Sequence, residues 1–321
     1  MRTPARYLAV FCLWFAFASS AFAADGRILD FEGDVRVNGA PVSSGTTLLS
    51  ADTIATGSDG WVTIVLADNS VLELDSDATV TLEEYSFNPD SPEDNKSDIN
   101  VVEGTLRYVS GLIAKDNPDN IEFTAGGSTI GVRGSYTTIE VQDAVVVVKA
   151  VVGEAVVQFE DDDCPEKIYI VATGTTAETN PVTCEAIIET TTERSKVDAL
   201  ILAIAEGEDI TEALAELSES EQSLVIAVII NNAETLNVTE SMITDIVNSL
   251  PGNTPPVVIA DVLLNDAPLG PDDSDRPPPS DEVPDDGEEP DVPPQDPTEP
   301  VLPPPTDPPG GFPPGSPPSL E

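Results

Sequence analysis

The chain has no histidine at all, and this absence excludes more chemistry than any residue it contains. Without histidine there is no Ser-His or Cys-His nucleophile, no His-ligated zinc and no imidazole base. Basic residues are also scarce, 13 against 59 acids, for a formal charge of −46 at pH 7. Such a polyanion is repelled by nucleic acid and by anionic lipid, and it stays soluble. The three cysteines form no Cys-x-x-Cys pair, and neither a phosphate-binding Gly-x-x-x-x-Gly-Lys loop nor a Gly-x-Gly-x-x-Gly fingerprint occurs. The catalytic arrangement still open is a carboxylate pair of the glycosidase type, and among so many acids a pair at suitable spacing arises by chance. These absences predict a non-enzymatic protein with no cofactor. Calcium on Asp161-Asp162-Asp163 or Asp75-Ser76-Asp77 is the sharper reading of the acidity and a saline habitat the plainer one; neither cluster fits an EF-hand loop.

What is present begins with a compartment signal. Arg2 and Arg6 precede an apolar run from Leu8 to Phe17, and Ala21-Phe22-Ala23 follows as a small-x-small cleavage site. This is the layout of a secretory signal peptide over residues 1–23, with the mature chain starting near Ala24. The run is short for a membrane span, so no stable span is expected after cleavage. Cys12 lies inside the apolar run, which leaves Cys164 and Cys184 in the mature chain. In an oxidising compartment that pair reads as a disulfide, closing a loop of about 21 residues for roughly 3 kcal/mol in the chain-entropy model.

The mature sequence changes character twice. Up to about Val171, short apolar alternations such as Val62-x-Ile64-x-Leu66 and Val80-x-Leu82 are separated by Gly, Asn, Asp and Ser turns, the pattern of many short strands. From about Thr190 to Leu250 the period becomes helical. A helix over Ser195 to Glu206 is followed by two opened by Asp209-x-x-Glu212 and Ser218-x-x-Glu221 capping boxes, and by a fourth over Thr239 to Leu250. The last 71 residues hold 23 of the 30 prolines and 16 acids against one base, Arg276, too little apolar surface to offset ordering. Within them Val257 to Leu264 is an apolar island, either a segment that docks back on the folded part or a short partner motif. The predicted organisation is a signal peptide (1–23), an all-β domain (24–160), a disulfide-closed extension (161–190), a short helical region (191–250) and a disordered Pro/Asp/Glu-rich tail (251–321). The fold class is mainly β, a sandwich or a β-helix-like stack, with a small helical region.

One succession of motifs carries a family resemblance. Gly33-Asp34-Val35, Thr56-Gly57, Asp68-Asn69-Ser70 and Gly104-Thr105-Leu106-Arg107 lead to Thr129-Ile130-Gly131-Val132-Arg133-Gly134-Ser135. Together they resemble the FecR domain, an extracytoplasmic all-β module, over roughly residues 25–158; Ala125 stands where the family has Pro, and Ser135 where it has Thr. The glycines of the last motif, Gly127, Gly131 and Gly134, are expected to serve tight turns and close backbone packing. Arg133 is expected to act as an internal partner for a carboxylate or for turn carbonyls rather than to contact a ligand. The best-known members of the family are transmembrane transducers with a cytoplasmic anti-sigma domain. Only six residues precede the apolar segment, taken from Tyr7, so the resemblance implies the extracytoplasmic module alone. It further implies an exported protein, periplasmic or at the cell surface, that contacts an envelope protein or a glycan. A structural or adhesive component with a spacer tail, and the sensing element of an envelope signalling pathway, are the alternatives.

Overall fold

The computed structural model describes residues 24–160, 163–191, 194–250 and 254–264. The expected signal peptide, Asp161-Asp162 and the tail beyond Leu264 lie outside the described residues. The expected mainly β chain with a small helical region is what the structure has. The strands are β1 (Gly26–Glu32), β2 (Val35–Val37), β3 (Ala40–Pro41), β4 (Thr47–Leu48), β5 (Thr53–Thr56), β6 (Trp61–Leu66), β7 (Val71–Leu74) and β8 (Thr79–Ser86). The long strands β9 (Lys96–Val109), β11 (Ser128–Gln142) and β12 (Val145–Phe159) follow, with β10 (Ile121–Ala125) between β9 and β11. A short helix, α1 (Leu112–Asp116), leads from β9 towards β10, and β13 (Ile168–Ala172), β14 (Thr175–Asn180) and β15 (Glu185–Thr190) close the sheet.

Among the described residues fifteen strands belong to one sheet, which rolls over its own core because the long strands bend. The C-terminal halves of β9 and β11 pair directly, Leu106 opposite Ile139, whereas their N-terminal halves splay apart and β10 fills the gap, parallel to β9 and antiparallel to β11. The bend in β9 falls at Gly104, whose φ is +82°; a side chain there would meet Ala78 Cα at 2.4 Å. At the matching bend between β11 and β12, Gly153 has φ +80° and lies so close to Arg133 and Gly134 that a Cβ would meet their carbonyl oxygens at 2.7 and 2.5 Å. Only glycine occupies such positions without strain. The enclosed core takes alternate residues from nearly every strand, among them Val35, Ile64, Leu106, Ile130 and Val132, with Tyr108 edge-on to Phe123 at a centroid distance of 4.9 Å.

The Asp68-Asn69-Ser70 turn between β6 and β7 is buried under α1 rather than exposed. One oxygen of Asp68 accepts from the Ser70 amide and hydroxyl and from the Tyr85 hydroxyl at 2.6–3.1 Å, and the other accepts from the Ile113 amide at 3.3 Å. Burial pushes the Asp68 carboxyl up from its ordinary value against these donors. The extension is stapled by Cys164–Cys184, with Cα atoms 5.4 Å apart, which ties the approach to β13 to the β14–β15 turn.

Five helices cover the outer face of the central strands: α2 (Lys196–Ala205), α3 (Thr211–Leu214), α4 (Glu219–Asn231), α5 (Glu240–Ser249) and α6 (Pro255–Leu264). Ser195 with Asp198 and Ser218 with Glu221 form complete capping boxes, the second as its spacing predicts, and Thr239 caps α5. Asp209 differs from its expected role: its carboxylate turns onto the amide and hydroxyl of Thr211, and α3 starts one residue later than the Asp209-x-x-Glu212 spacing predicts, with Ile210 at the N-cap. Helix α4 is buried without a break from Gln222 to Ile229, the mark of a helix surrounded on all sides. It packs on β7, β9, α2, α5 and α6, and Asn231 at its end donates to the Asn69 carbonyl at 2.8 Å.

The apolar island, expected within the tail, docks back as a helix and not as an extended segment. Pro256, Ile259, Ala260 and Leu263 of α6 are buried against α4. Losing that contact should cost about 3–5 kcal/mol at the usual value of a buried aliphatic side chain. A chain ending at Leu250 is therefore expected to unfold at clearly lower denaturant concentration than one ending at Leu264, with equal midpoints showing that α6 contributes no core.

Candidate functional site

The outer face of the central strands carries a polar row that runs straight across the sheet. Asp30, Thr63, Glu73, Arg107, Thr138, Lys149, Thr176 and Glu189 are successive cross-strand partners. Directly opposed residues share a face, and Val65, Val71, Val109 and Tyr136, two positions along their strands, lie under the helices. The row is thus on the covered side. Strands covered on both faces ordinarily read as continuous apolar runs, so each charge here needs a partner.

The partners are found in two groups. Lys149 Nζ lies 3.4 Å from Asp198 Oδ2, so the residue that completes the cap of α2 also ties that helix to β12. Arg107 is held by Glu73 Oε1 at 3.0 Å and by Asp75 Oδ1. Glu73 is 5% exposed and its second oxygen, Oε2, is buried without a hydrogen-bond partner; so is the hydroxyl of Thr63 directly opposite. Burial pushes the Glu73 carboxyl up to about 7, against the pull of Arg107 and with help from Asp75 and Glu221.

Above this group the helical cover is incomplete, leaving an open cleft of about 750 Å³. Its walls are the ends of β1, β6 and β7 and the first turns of α2 and α4, including Ser195 and Ser218. Helix N-termini favour anions, but Asp198 and Glu221 already occupy these two as caps. The lining carries Asp30, Glu32, Asp59, Glu73, Asp75, Glu219 and Glu221 against one base, Arg107. Trp61 stands at the edge, partly exposed, its indole Nε1 donating to Glu32 Oε2 at 3.2 Å. Chemically the cleft is acceptor-rich, with an aromatic face. Among the described residues no three or more acidic or sulfur side chains converge as a metal site, and Asp75 is committed to Arg107.

The residues singled out by sequence separate into scaffold and surface. Gly33 forms the turn after β1 against Asp59, Val35 is buried, and Gly104 makes the bend of β9. The Thr56 hydroxyl, before Gly57, bridges the Asp75 carbonyl and the Ala78 amide. Thr129 donates to Glu160 at 2.8 Å; Ile130 and Val132 are fully buried. Gly131 has open space where a Cβ would stand, Gly134 sits at the bend opposite Gly153, and Ser135 falls within β11. Arg133 has a carboxylate partner within the chain, as expected, but on the surface: it lies 3.0 Å from Asp119, with both side chains more than half exposed. The arginine paired with a buried carboxylate is Arg107, in the cleft. Glu73 and Trp61 were not singled out by sequence, and Asp75 only within the Asp75-Ser76-Asp77 calcium candidate; the clue available was the charged Glu73 inside an otherwise apolar Val71–Leu74 run.

A rolled sheet with a helical back defines a mainly β domain. The FecR protein family matches residues 52–156, and the chain carries a FecR domain there. The structural domain is larger than the match, since β1 pairs with β6 and belongs to the same sheet. No curated protein matches the chain. Two crystal structures of a Parabacteroides distasonis protein, provisionally assigned as an anti-sigma factor, are similar at 14% identity and a TM-score of 0.35, covering 47% of this chain and 64% and 63% of theirs. The chain thus spans less than two thirds of the length of those structures. No described helix is long and apolar enough to cross a membrane.

Two outcomes test the electrostatics. Arg107→Ala leaves Glu73 buried without a counter-charge and should destabilise the fold by about 3–5 kcal/mol. Arg133→Ala breaks a surface pair and should cost at most about 1 kcal/mol; chemical denaturation of both variants reads the difference. The second outcome concerns pH. Because the folded protein holds the Glu73 proton more firmly than the unfolded chain, the neutral form's contribution is complete below its ordinary value of 4.5 and is lost as pH rises through about 7. Glu73→Gln should remove that slope, so that its stability relative to the unsubstituted protein improves by about 2–3 kcal/mol between pH 4.5 and 8; parallel pH curves for the two would refute the assignment.

Proposed function

We propose that this is an exported, non-enzymatic binding module of the cell envelope whose FecR domain engages a protein partner. What carries the reading is the FecR match at residues 52–156 together with an open, chemically distinctive cleft beside the domain's half-buried Arg107. The disulfide fits an oxidising compartment. A second reading, participation in envelope signalling, is favoured by the FecR family match itself. In that case the partner is a component of a signalling complex.

Affinity capture tests the proposal. The mature protein, cross-linked in whole cells and recovered from the envelope fraction, should bring down a defined protein in stoichiometric amount, and a chain ending at Leu264 should retain it. Recovery of no protein above the level of an equally acidic control would overturn the binding reading in favour of a spacer or structural role.

A further inference from the structure

The Glu73 side chain is an unusual floor for a cleft. It is more than nine-tenths buried, lies on the covered face of the sheet, and spends only one oxygen on Arg107. Its other oxygen has no donor. A buried acceptor left unmade is costly, and the group that would meet it is a hydrogen-bond donor, preferably a charged one. The rest of the lining selects the same ligand: carboxylates outnumber the single base, and both helix N-termini are filled by their own acids. Trp61 adds an aromatic face of the kind that attracts guanidinium and ammonium groups. It begins β6 on the same face as Thr63, which is opposite Glu73, so aromatic face and unsatisfied carboxylate belong to one patch. A bare divalent ion fits less well, because no converging set of ligands is present among the described residues.

We infer that the cleft between β6, β7 and the N-termini of α2 and α4 receives an arginine or lysine side chain from a basic segment of the protein partner, with the Glu73 carboxylate turning to bring Oε2, buried in the free protein, onto its hydrogen bond and Trp61 covering its charge. This deepens the binding proposal above and rests on it. Salt-screened attraction to the whole polyanion brings a basic segment near. The buried carboxylate and the indole give that encounter one address.

The mature chain contains one tryptophan, Trp61, since Trp14 lies in the expected signal peptide. Its fluorescence therefore reports the cleft directly. Titration of the full mature protein with a blocked Arg-Gly-Ser repeat peptide, in buffer of about 0.15 M salt, should give a saturable Trp61 signal, and the same peptide with glutamate for arginine should give none. By calorimetry, Glu73→Gln and Trp61→Leu should each weaken the arginine peptide, Glu73→Gln by about tenfold or more. Asp90→Asn, the same charge change in an exposed loop, should alter affinity less than about twofold. Melting curves run alongside establish that each variant is folded; should Glu73→Gln fail to fold, Trp61→Leu decides alone. Equal weakening by Glu73→Gln and Asp90→Asn would mean diffuse polyanion attraction and overturn the site. So would loss of the peptide signal on adding calcium, if calcium binding were itself sensitive to Glu73→Gln. If cross-linking captures a partner that binds the Glu73→Gln and Trp61→Leu variants as tightly as the unsubstituted protein, this inference fails while the binding function stands.

Discussion

The central strands of this protein are covered on both faces, and the covered outer face nevertheless carries charge. That combination governs the arrangement of everything built on the sheet. A charge removed from water without a partner costs several kcal/mol, so each helix that lies over β7, β9 and β12 has to bring a counter-charge or leave an opening. Helix α2 brings one: Asp198 closes its own capping box and reaches Lys149. Helix α4 brings Glu221, which completes the cap of its own helix but adds negative charge beside Glu73. The cleft is the place where cover and charge are not reconciled within the chain.

The bends of the long strands set where that place falls. Gly104 turns β9 so that its first half faces β8 and β10 while its second half, with Arg107, runs under the helices. The close approach of Gly153 to Arg133 and Gly134 makes the equivalent turn between β11 and β12. Bending is therefore coupled to charge placement. The strand segment after Gly104 is the one that delivers Arg107 between Glu73 and Asp75. This gives a physical reason for glycine and arginine to stand three residues apart in the same strand: one makes the bend, the other is the charge that the bent segment carries beneath the cover.

Strand content, helix starts and the disulfide pair were legible because each rests on short-range chemistry. Alternating Val and Ile declare a strand, a serine three residues before an acid declares a helix start, and two cysteines left in the mature chain have only each other. Pairing across the sheet was not legible. Glu73 and Arg107 are 34 positions apart, and nothing local marks them as neighbours. Arg133 has the carboxylate partner expected of it, but strand alternation puts Val132 in the core and Arg133, with Asp119, on the surface. The Val257 to Leu264 island sits in a proline-rich context that argues against order, yet α4 offers an apolar surface that makes a helix of it. Proline at its first position suits a helix start and does not oppose one.

A highly acidic chain would seem to need no special site for a cation, because its whole surface attracts one. The energetics point the other way. Exposed carboxylates in water at physiological salt interact weakly and interchangeably with cations, so they concentrate a basic partner near the surface without orienting it. Specificity requires an acceptor whose alternative is unfavourable, and Glu73 is such an acceptor: water is excluded from its free oxygen and Arg107 satisfies only the other one. Neutralising that oxygen with a proton meets part of the cost, which is why the carboxyl rises to about 7. A donor that brings both charge and a hydrogen bond meets more of it. The same burial that raises the carboxyl therefore makes it discriminating, and the surrounding acids extend the reach of the one buried group that can tell partners apart.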